Sequence, residues 1–246
     1  LLNLNQKDIF GILEVGMDKK GEIDFLSKII KPDIGVITNI SSAHIKNFKN
    51  ISEIASAKGE IINNVKKNGS VVLNADDKFY NFHQGLAKKK KLKVYSFSLN
   101  KKNTNVNLKK IIRLKNKYKI ILRINGEEKY YYIRKNFTNL IYNILASITI
   151  MQIYVDIDKL NKNLFLNIQT TQGRGDVEIL KINRKKFFLV DESYNSNPLS
   201  LSSALQNFDK IKVDKIRKHI VLGDMLELGK HSIKLHKDIS QKILHL

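Results

Sequence analysis

The chain has no cysteine and no apolar run approaching the roughly 20 residues that cross a bilayer. Without thiols it has neither disulfides nor thiolate metal sites, and nothing points to an oxidising compartment. Residues Leu1–Phe10 lack the basic-then-apolar order of a signal peptide. These absences lead to the expectation of a soluble, cytoplasmic protein with no membrane insertion. There is no initiator Met, and the strand-like run Ile9–Val15 follows almost at once, so a fragment of a longer chain is expected. No repeat at solenoid periods is visible. Acidic residues are scarce, 23 against 44 Lys and Arg, for a formal charge of +21. That balance invites a nucleic-acid reading. The lysines are dispersed, however, and the densest cluster, Lys88–Lys91, has no interleaved aromatic platform, so no specific nucleic-acid binding is expected.

What is present suffices for a core: 246 residues with 42% hydrophobic content, with two domains expected. Ile9–Val15, Ile34–Ile40, Val71–Asn74 and Lys93–Ser98 read as strands, and Glu22–Ile30, Ser52–Val65 and Asp76–Lys90 as helices. The alternation predicts a parallel sheet with helices on both faces. Val106–Leu114, Tyr118–Ile124 and Lys129–Arg134 then read as a small antiparallel element, with a hairpin at Asn125-Gly126. An apolar helix, Leu140–Val155, follows. The polar, glycine-containing stretch Thr170–Arg174 is the candidate domain boundary. Beyond it come strands Val177–Ile182 and Lys186–Val190, helix Pro198–Phe208, strand His219–Leu222 and a helix from about Ser232. This second alternation stops at Leu246, too soon for a complete doubly wound domain.

Three places break their local pattern. Asp191-Glu-Ser-Tyr-Asn-Ser-Asn-Pro198 follows the apolar run Phe187–Val190, which puts two acids at the carboxyl end of a strand, where α/β sheets bind ligands. Asn197 is a good N-cap, and Pro198 suits the first helical position. Lys58 falls on the apolar stripe Ile54, Ile61, Ile62, Val65, with small residues Ala55, Ala57 and Gly59 around it. It either snorkels or is held near a site where desolvation favours the neutral amine. Glu14 ends an apolar strand, and His44 lies in the loop after Ile34–Ile40. If those strands are parallel neighbours, Glu14, His44 and Lys58 emerge on one sheet edge, an anion or metal site of unsettled chemistry.

Glu14-Val-Gly-Met17, Gly21-Glu-Ile23, Thr38-Asn-Ile40, Ala43-His44 and Ala57-Lys-Gly-Glu-Ile61 stand in the order and spacing of the Mur ligases. The chain resembles that family from about Glu14 to about His236. Asp191–Pro198 and Gly223-Asp-Met-Leu-Glu-Leu-Gly229 are similar to the signatures of the member that adds D-alanyl-D-alanine. The resemblance implies a mononucleotide-binding central domain over residues 1–169 and a truncated Rossmann-like C-terminal domain over 170–246. It implies a monomer that uses ATP and Mg²⁺ to join UDP-MurNAc-tripeptide to D-alanyl-D-alanine through an acyl phosphate. Lys58 matches the family lysine that becomes a carbamate and ligates Mg²⁺, with Glu14 and His44 as further metal-site positions. His44 and Lys58 are thus the implied catalytic residues. Asn143 matches the adenine contact, Arg174 the γ-phosphate contact, and Glu192, beside Asp191, the ribose contact. Tyr194, Asn195 and Asn197 are expected to shape the same pocket.

The departures are specific. Where the family has a glycine and a histidine before Asn143, this chain reads Phe137-Thr-Asn139. The glycine-rich phosphate loop expected upstream of Glu14, and the UDP-binding domain, are absent from the sequence. These 246 residues alone are therefore expected to lack ligase activity. Two alternatives share the fold: the sister ligase adding the third amino acid, and folylpolyglutamate synthase. Both would be expected to carry a shorter Asp-x-Ala-His-like turn in place of Ser193-Tyr-Asn195.

Overall fold

In the computed structural model, which describes residues 5, 7–42, 45–168, 172–211 and 217–243, the apolar runs assemble into one six-stranded sheet and one two-stranded sheet. Strands β1 (Ile34–Ile37), β2 (Ser70–Asn74), β3 (Lys93–Ser98) and β4 (Val106–Arg113) are parallel neighbours, in chain order. Strands β5 (Tyr118–Ile124) and β6 (Glu127–Ile133) continue the same sheet antiparallel. The expected antiparallel element continues the parallel sheet: Val106 pairs with Phe97 on one side and Ile124 on the other. The Asn125-Gly126 turn has both residues at positive φ, 48° and 97°, as a tight hairpin requires.

Both faces of the sheet are covered, because β2 alternates its side chains between two cores. Val71 and Leu73 join the cluster formed by α1 (Glu22–Ile30), α2 (Ile51–Asn63) and α3 (Tyr80–Lys89). Val72 joins the opposite cluster, with Phe97, Leu122, Tyr131 and α4 (Thr138–Met151). Helix α2 starts at Asn50, whose side chain accepts from the N–H groups of Ser52 and Glu53 at 3.0 and 3.1 Å. Its stripe residues Ile54 and Ile62 are fully buried, each stabilising by about 1.5–3 kcal/mol. Helix α3 begins at Tyr80 rather than Asp76, because Asp76 and Asp77 are committed to the loop between β2 and α3.

Two expected strands are not strands. Ile9–Val15 makes no ladder among the described residues; Ile9, Phe10 and Ile12 are exposed, and Phe10 packs edge-on against Tyr154. Glu14 is consequently an exposed side chain on a segment without regular secondary structure, not the end of a buried strand. His219–Leu222 is also unpaired, with Val221 nearly fully exposed. An apolar run becomes a strand only where a neighbour offers its backbone groups. The two strands after the boundary, β7 (Asp176–Ile182) and β8 (Lys185–Asp191), form an antiparallel hairpin instead of alternating with helices. Helices α5 (Pro198–Asp209) and α6 (Ser232–Ile243) follow, and Leu205 and Ile239 join the α1–α3 core.

The entry to β2 is tightly packed. A Cβ on Gly69 would lie 2.6 Å from the Val65 side chain and 2.7–2.8 Å from the carbonyls of Asp33 and Lys66. Gly69→Ala is expected to destabilise the fold by about 1–3 kcal/mol, measured as a lowered urea midpoint at unchanged slope. An unchanged midpoint would contradict this packing.

Candidate functional site

The carboxyl ends of the parallel strands are tied together by the last residue of β2 and the loop that follows it. Asn74 donates its side-chain amide to the Thr38 carbonyl at 3.0 Å, anchoring the chain just beyond β1. Asp77 accepts the Ile40 N–H at 2.7 Å and, through its other oxygen, the Phe79 N–H at 2.8 Å. Asp76 reaches the other way. It accepts from the Ser98 hydroxyl at 2.6 Å, the Leu99 N–H at 2.7 Å and the Tyr142 hydroxyl at 3.1 Å. Burial first, and the Asp76 carboxylate second, push the Tyr142 pKa up, so its phenol stays a proton donor.

Lys58 points at this edge. It is half-buried, and its Nζ donates to the Asn39 carbonyl at 3.1 Å. Burial lowers its pKa, and the nearby Asp77 carboxylate opposes that shift. The next two residues explain the rest of the Lys-Gly-Glu segment. A Cβ on Gly59 would come within 3.2 Å of His83 and Leu86, so the absent side chain lets α2 approach α3. Glu60 accepts the N–H groups of Gly21 and Asp24 at 3.0–3.1 Å, satisfying the N-terminus of α1 with a carboxylate placed where its dipole favours one.

The second group of site residues surrounds the turn Gly173–Gly175. Both glycines have positive φ, 76° and 84°, a backbone that other residues adopt only with strain. Gly173 accepts the Tyr194 N–H at 3.2 Å, and the Gly175 N–H donates to the Asp191 carbonyl at 2.8 Å. The turn thereby faces the octapeptide. The Arg174 guanidinium stacks 4.4 Å from the Tyr194 ring centroid, and a Cβ on Gly175 would stand 3.1 Å from a Glu192 carboxylate oxygen. Hydrogen bonds from the side chain and backbone of Ser193 hold the Asp191 carboxyl below the usual carboxylate range. Lys135 donates to the Gly175 carbonyl at 3.4 Å, and the Phe137 ring approaches the same glycine. Helix α4 thus has its N-cap residue Phe137 beside the Arg174 turn and its Tyr142 on Asp76.

The structure therefore brings Arg174, Asp191, Glu192 and Tyr194 together, and sets Lys58 on the sheet edge. Asn143 lies on the exposed face of α4, and Asn195 is exposed. Asn197 is the α5 N-cap, accepting from Leu199 and Ser200 at 3.1 Å within a reciprocal capping box. Glu14 is exposed, and His44 lies outside the described residues. Among the described residues no three His, Asp or Glu side chains gather into a metal cage. Sequence reasoning overlooked Asn74, Asp76, Asp77 and Lys135. Asp76 and Asp77 carry the signal used for Asp191: acids at the end of an apolar strand. The Gly223–Gly229 motif docks on residues 45–48: Met225 and Leu228 are buried with Ile45 and Phe48, and the Lys46 N–H donates to the Glu227 carbonyl at 3.1 Å.

Residues 1–151 match the model of the Mur ligase middle domain. The chain is 31% identical, over 96% of its length, to the UDP-N-acetylmuramoyl-tripeptide–D-alanyl-D-alanine ligase of Rickettsia prowazekii, of which it covers 51%. It is 31% identical, over 99% of its length, to the same-named ligase of Buchnera aphidicola subsp. Baizongia pistaciae, again covering 51%. The chain spans about half the length of the curated relatives it matches. In fold it is similar to MurF from Acinetobacter baumannii (TM-score 0.83, 24% identity, all of this chain and 51% of that one). It is also similar to MurF ligase from Thermotoga maritima in complex with ADP (TM-score 0.71, 24% identity, 91% of this chain and 49% of that one).

His83 offers a pH test of the packing under Lys58. It is buried, with Nε2 2.8 Å from the Ala55 carbonyl, and burial lowers its pKa from the ordinary 6.5. The folded state then binds fewer protons than the unfolded state, so stability is full above pH 6.5 and falls as the pH drops below it. Urea midpoints measured from pH 7.5 down to about pH 5 are expected to fall, with a shallower slope in His83→Gln. Equal slopes would contradict a buried, neutral His83.

Proposed function

The chain belongs to the Mur ligase family, and from that premise we propose that it forms the ATP side of a ligase that joins D-alanyl-D-alanine to UDP-MurNAc-tripeptide. Residues 1–169 are the central domain in this reading and 170–246 part of the C-terminal one. The observation that carries the reading is Lys58, an amine on an apolar helix stripe, partly desolvated and aimed at the carboxyl edge of a parallel sheet. A lowered pKa favours the neutral amine, the only form that reacts with carbon dioxide to give a carbamate.

The tripeptide carboxylate takes the γ-phosphoryl group of ATP, releasing ADP. The amine of D-alanyl-D-alanine then attacks the acyl carbon, loses a proton and expels phosphate. The work of the protein in such a reaction is positioning and charge neutralisation. Arg174, already stacked on Tyr194, is assigned to the γ-phosphate, which suits its planar fork of donors. Glu192, with Asp191, is assigned to the ribose hydroxyls, Asn143 to adenine, and Asn195 to the same pocket. Carbamylated Lys58, with His44 and Glu14, would supply Mg²⁺ with oxygen and imidazole ligands, the described residues offering no cage of their own. Bound there, the ion would neutralise charge on the phosphoryl group in transfer. The reaction is assigned to the cytoplasm, to a monomer.

Steady-state phosphate release, measured on the chain in its full natural reading frame, tests this reading. Turnover is expected to require ATP, UDP-MurNAc-tripeptide and D-alanyl-D-alanine together. Lys58→Ala and Arg174→Ala are each expected to lower kcat by about 10²–10³, the usual cost of removing a charge-stabilising group. Undiminished turnover in Lys58→Ala, or turnover without D-alanyl-D-alanine, would overturn it.

A further inference from the structure

We infer that Asp77 is a positioning residue for Lys58, acting through the one peptide unit that lies between them. The inference builds on the proposed role of Lys58 as the reacting amine. The peptide joining Asn39 to Ile40 presents its two polar ends to two different side chains. Its carbonyl accepts from Lys58 Nζ at 3.1 Å, and its N–H donates to Asp77 at 2.7 Å. Asp77 is itself held, because its second oxygen accepts the Phe79 N–H at 2.8 Å. Its neighbour Asp76 takes no part, being occupied by Ser98, Leu99 and Tyr142. The adjacent acids thus divide the sheet edge between them, Asp76 serving β3 and α4, and Asp77 serving the chain beyond β1.

A carboxylate on the N–H end of a peptide polarises it and makes its carbonyl a stronger acceptor. A lysine on a flexible four-carbon stem has many conformers, and such a carbonyl selects among them. Without Asp77, residues 38–40 keep the tie from Asn74 to Thr38 but lose the one that orients the Asn39 carbonyl. Nζ is then free to leave the edge. Misplacement of a reacting group by about 1 Å is enough to cost a hundred-fold in rate.

Competitive acetylation with trace acetic anhydride, in bicarbonate-free buffer and read lysine by lysine by mass spectrometry, tests this. In Asp77→Ala, Lys58 is expected to label about five- to ten-fold faster than in the wild type, the release of roughly one hydrogen bond. Asp77→Asn keeps an oxygen for the Ile40 N–H and is expected to restore slow labelling, with Lys46 and Lys66 unchanged throughout. In the unsubstituted protein, the Ile40 amide is expected to be protected from hydrogen exchange, a result that does not depend on the alanine variant folding. Unchanged Lys58 labelling in a folded Asp77→Ala, no restoration by Asn, or an Ile40 amide exchanging like a free loop would each overturn the role. None of these readouts needs nucleotide or carbamate. A failed ligase assay with this labelling pattern intact would overturn the ligase reading alone. A working ligase with unchanged labelling would overturn the role of Asp77 alone.

Discussion

The peptide between Asn39 and Ile40, gripped from both sides, is the constraint on which the site depends. Parallel strands end together at one edge, and the loops leaving that edge have no ladder to hold them. Here the end of β2 and the loop after it supply the missing order: Asn74 and Asp77 fasten the chain beyond β1, and Asp76 fastens β3 and α4. With the edge fixed, Lys58 finds an acceptor at a defined place, although the side chain is partly buried. The small residues around it complete the arrangement. Gly59 lets α2 close on α3, and Glu60 turns the same helix into a cap for α1.

The second half of the site is built by different means. A turn with two glycines at positive φ lays Arg174 against Tyr194 and brings the backbone to the end of β8. Helix α4 lies between the halves, with Phe137 near the turn and Tyr142 on Asp76. The motif Gly223–Gly229 adds a third fastening, burying Met225 and Leu228 against the segment that follows residue 44. Each of these contacts lends rigidity to a surface formed by loops, where ligand-binding residues usually lie.

Much of the fold was legible because its elements are locally consistent. Strand β5 and helix α1 fall on the residues that periodicity indicates, and the Asn125-Gly126 hairpin follows from turn chemistry alone. Ile9–Val15 and His219–Leu222 were misread because apolar content does not reveal whether a pairing partner exists. The same gap misplaced Glu14, whose meaning depended on the strand before it. Lys58 was legible as an anomaly on its stripe, and Asp191 as an acid at a strand end. Asp77 obeyed the rule that exposed Asp191, yet it looked like the opening of a helix, because Asp and Asn are as common at helix starts as at ligand sites. Its partner is a backbone N–H 37 residues away, a contact that no local pattern encodes.

The account stands on Lys58 being an amine whose burial favours its neutral form at the sheet edge. The most direct measurement is carbon-13 NMR of the protein equilibrated with [¹³C]bicarbonate. A single protein carbamate resonance that disappears in Lys58→Ala is the result expected. No resonance in the wild-type protein, or one that survives the substitution, would contradict the account.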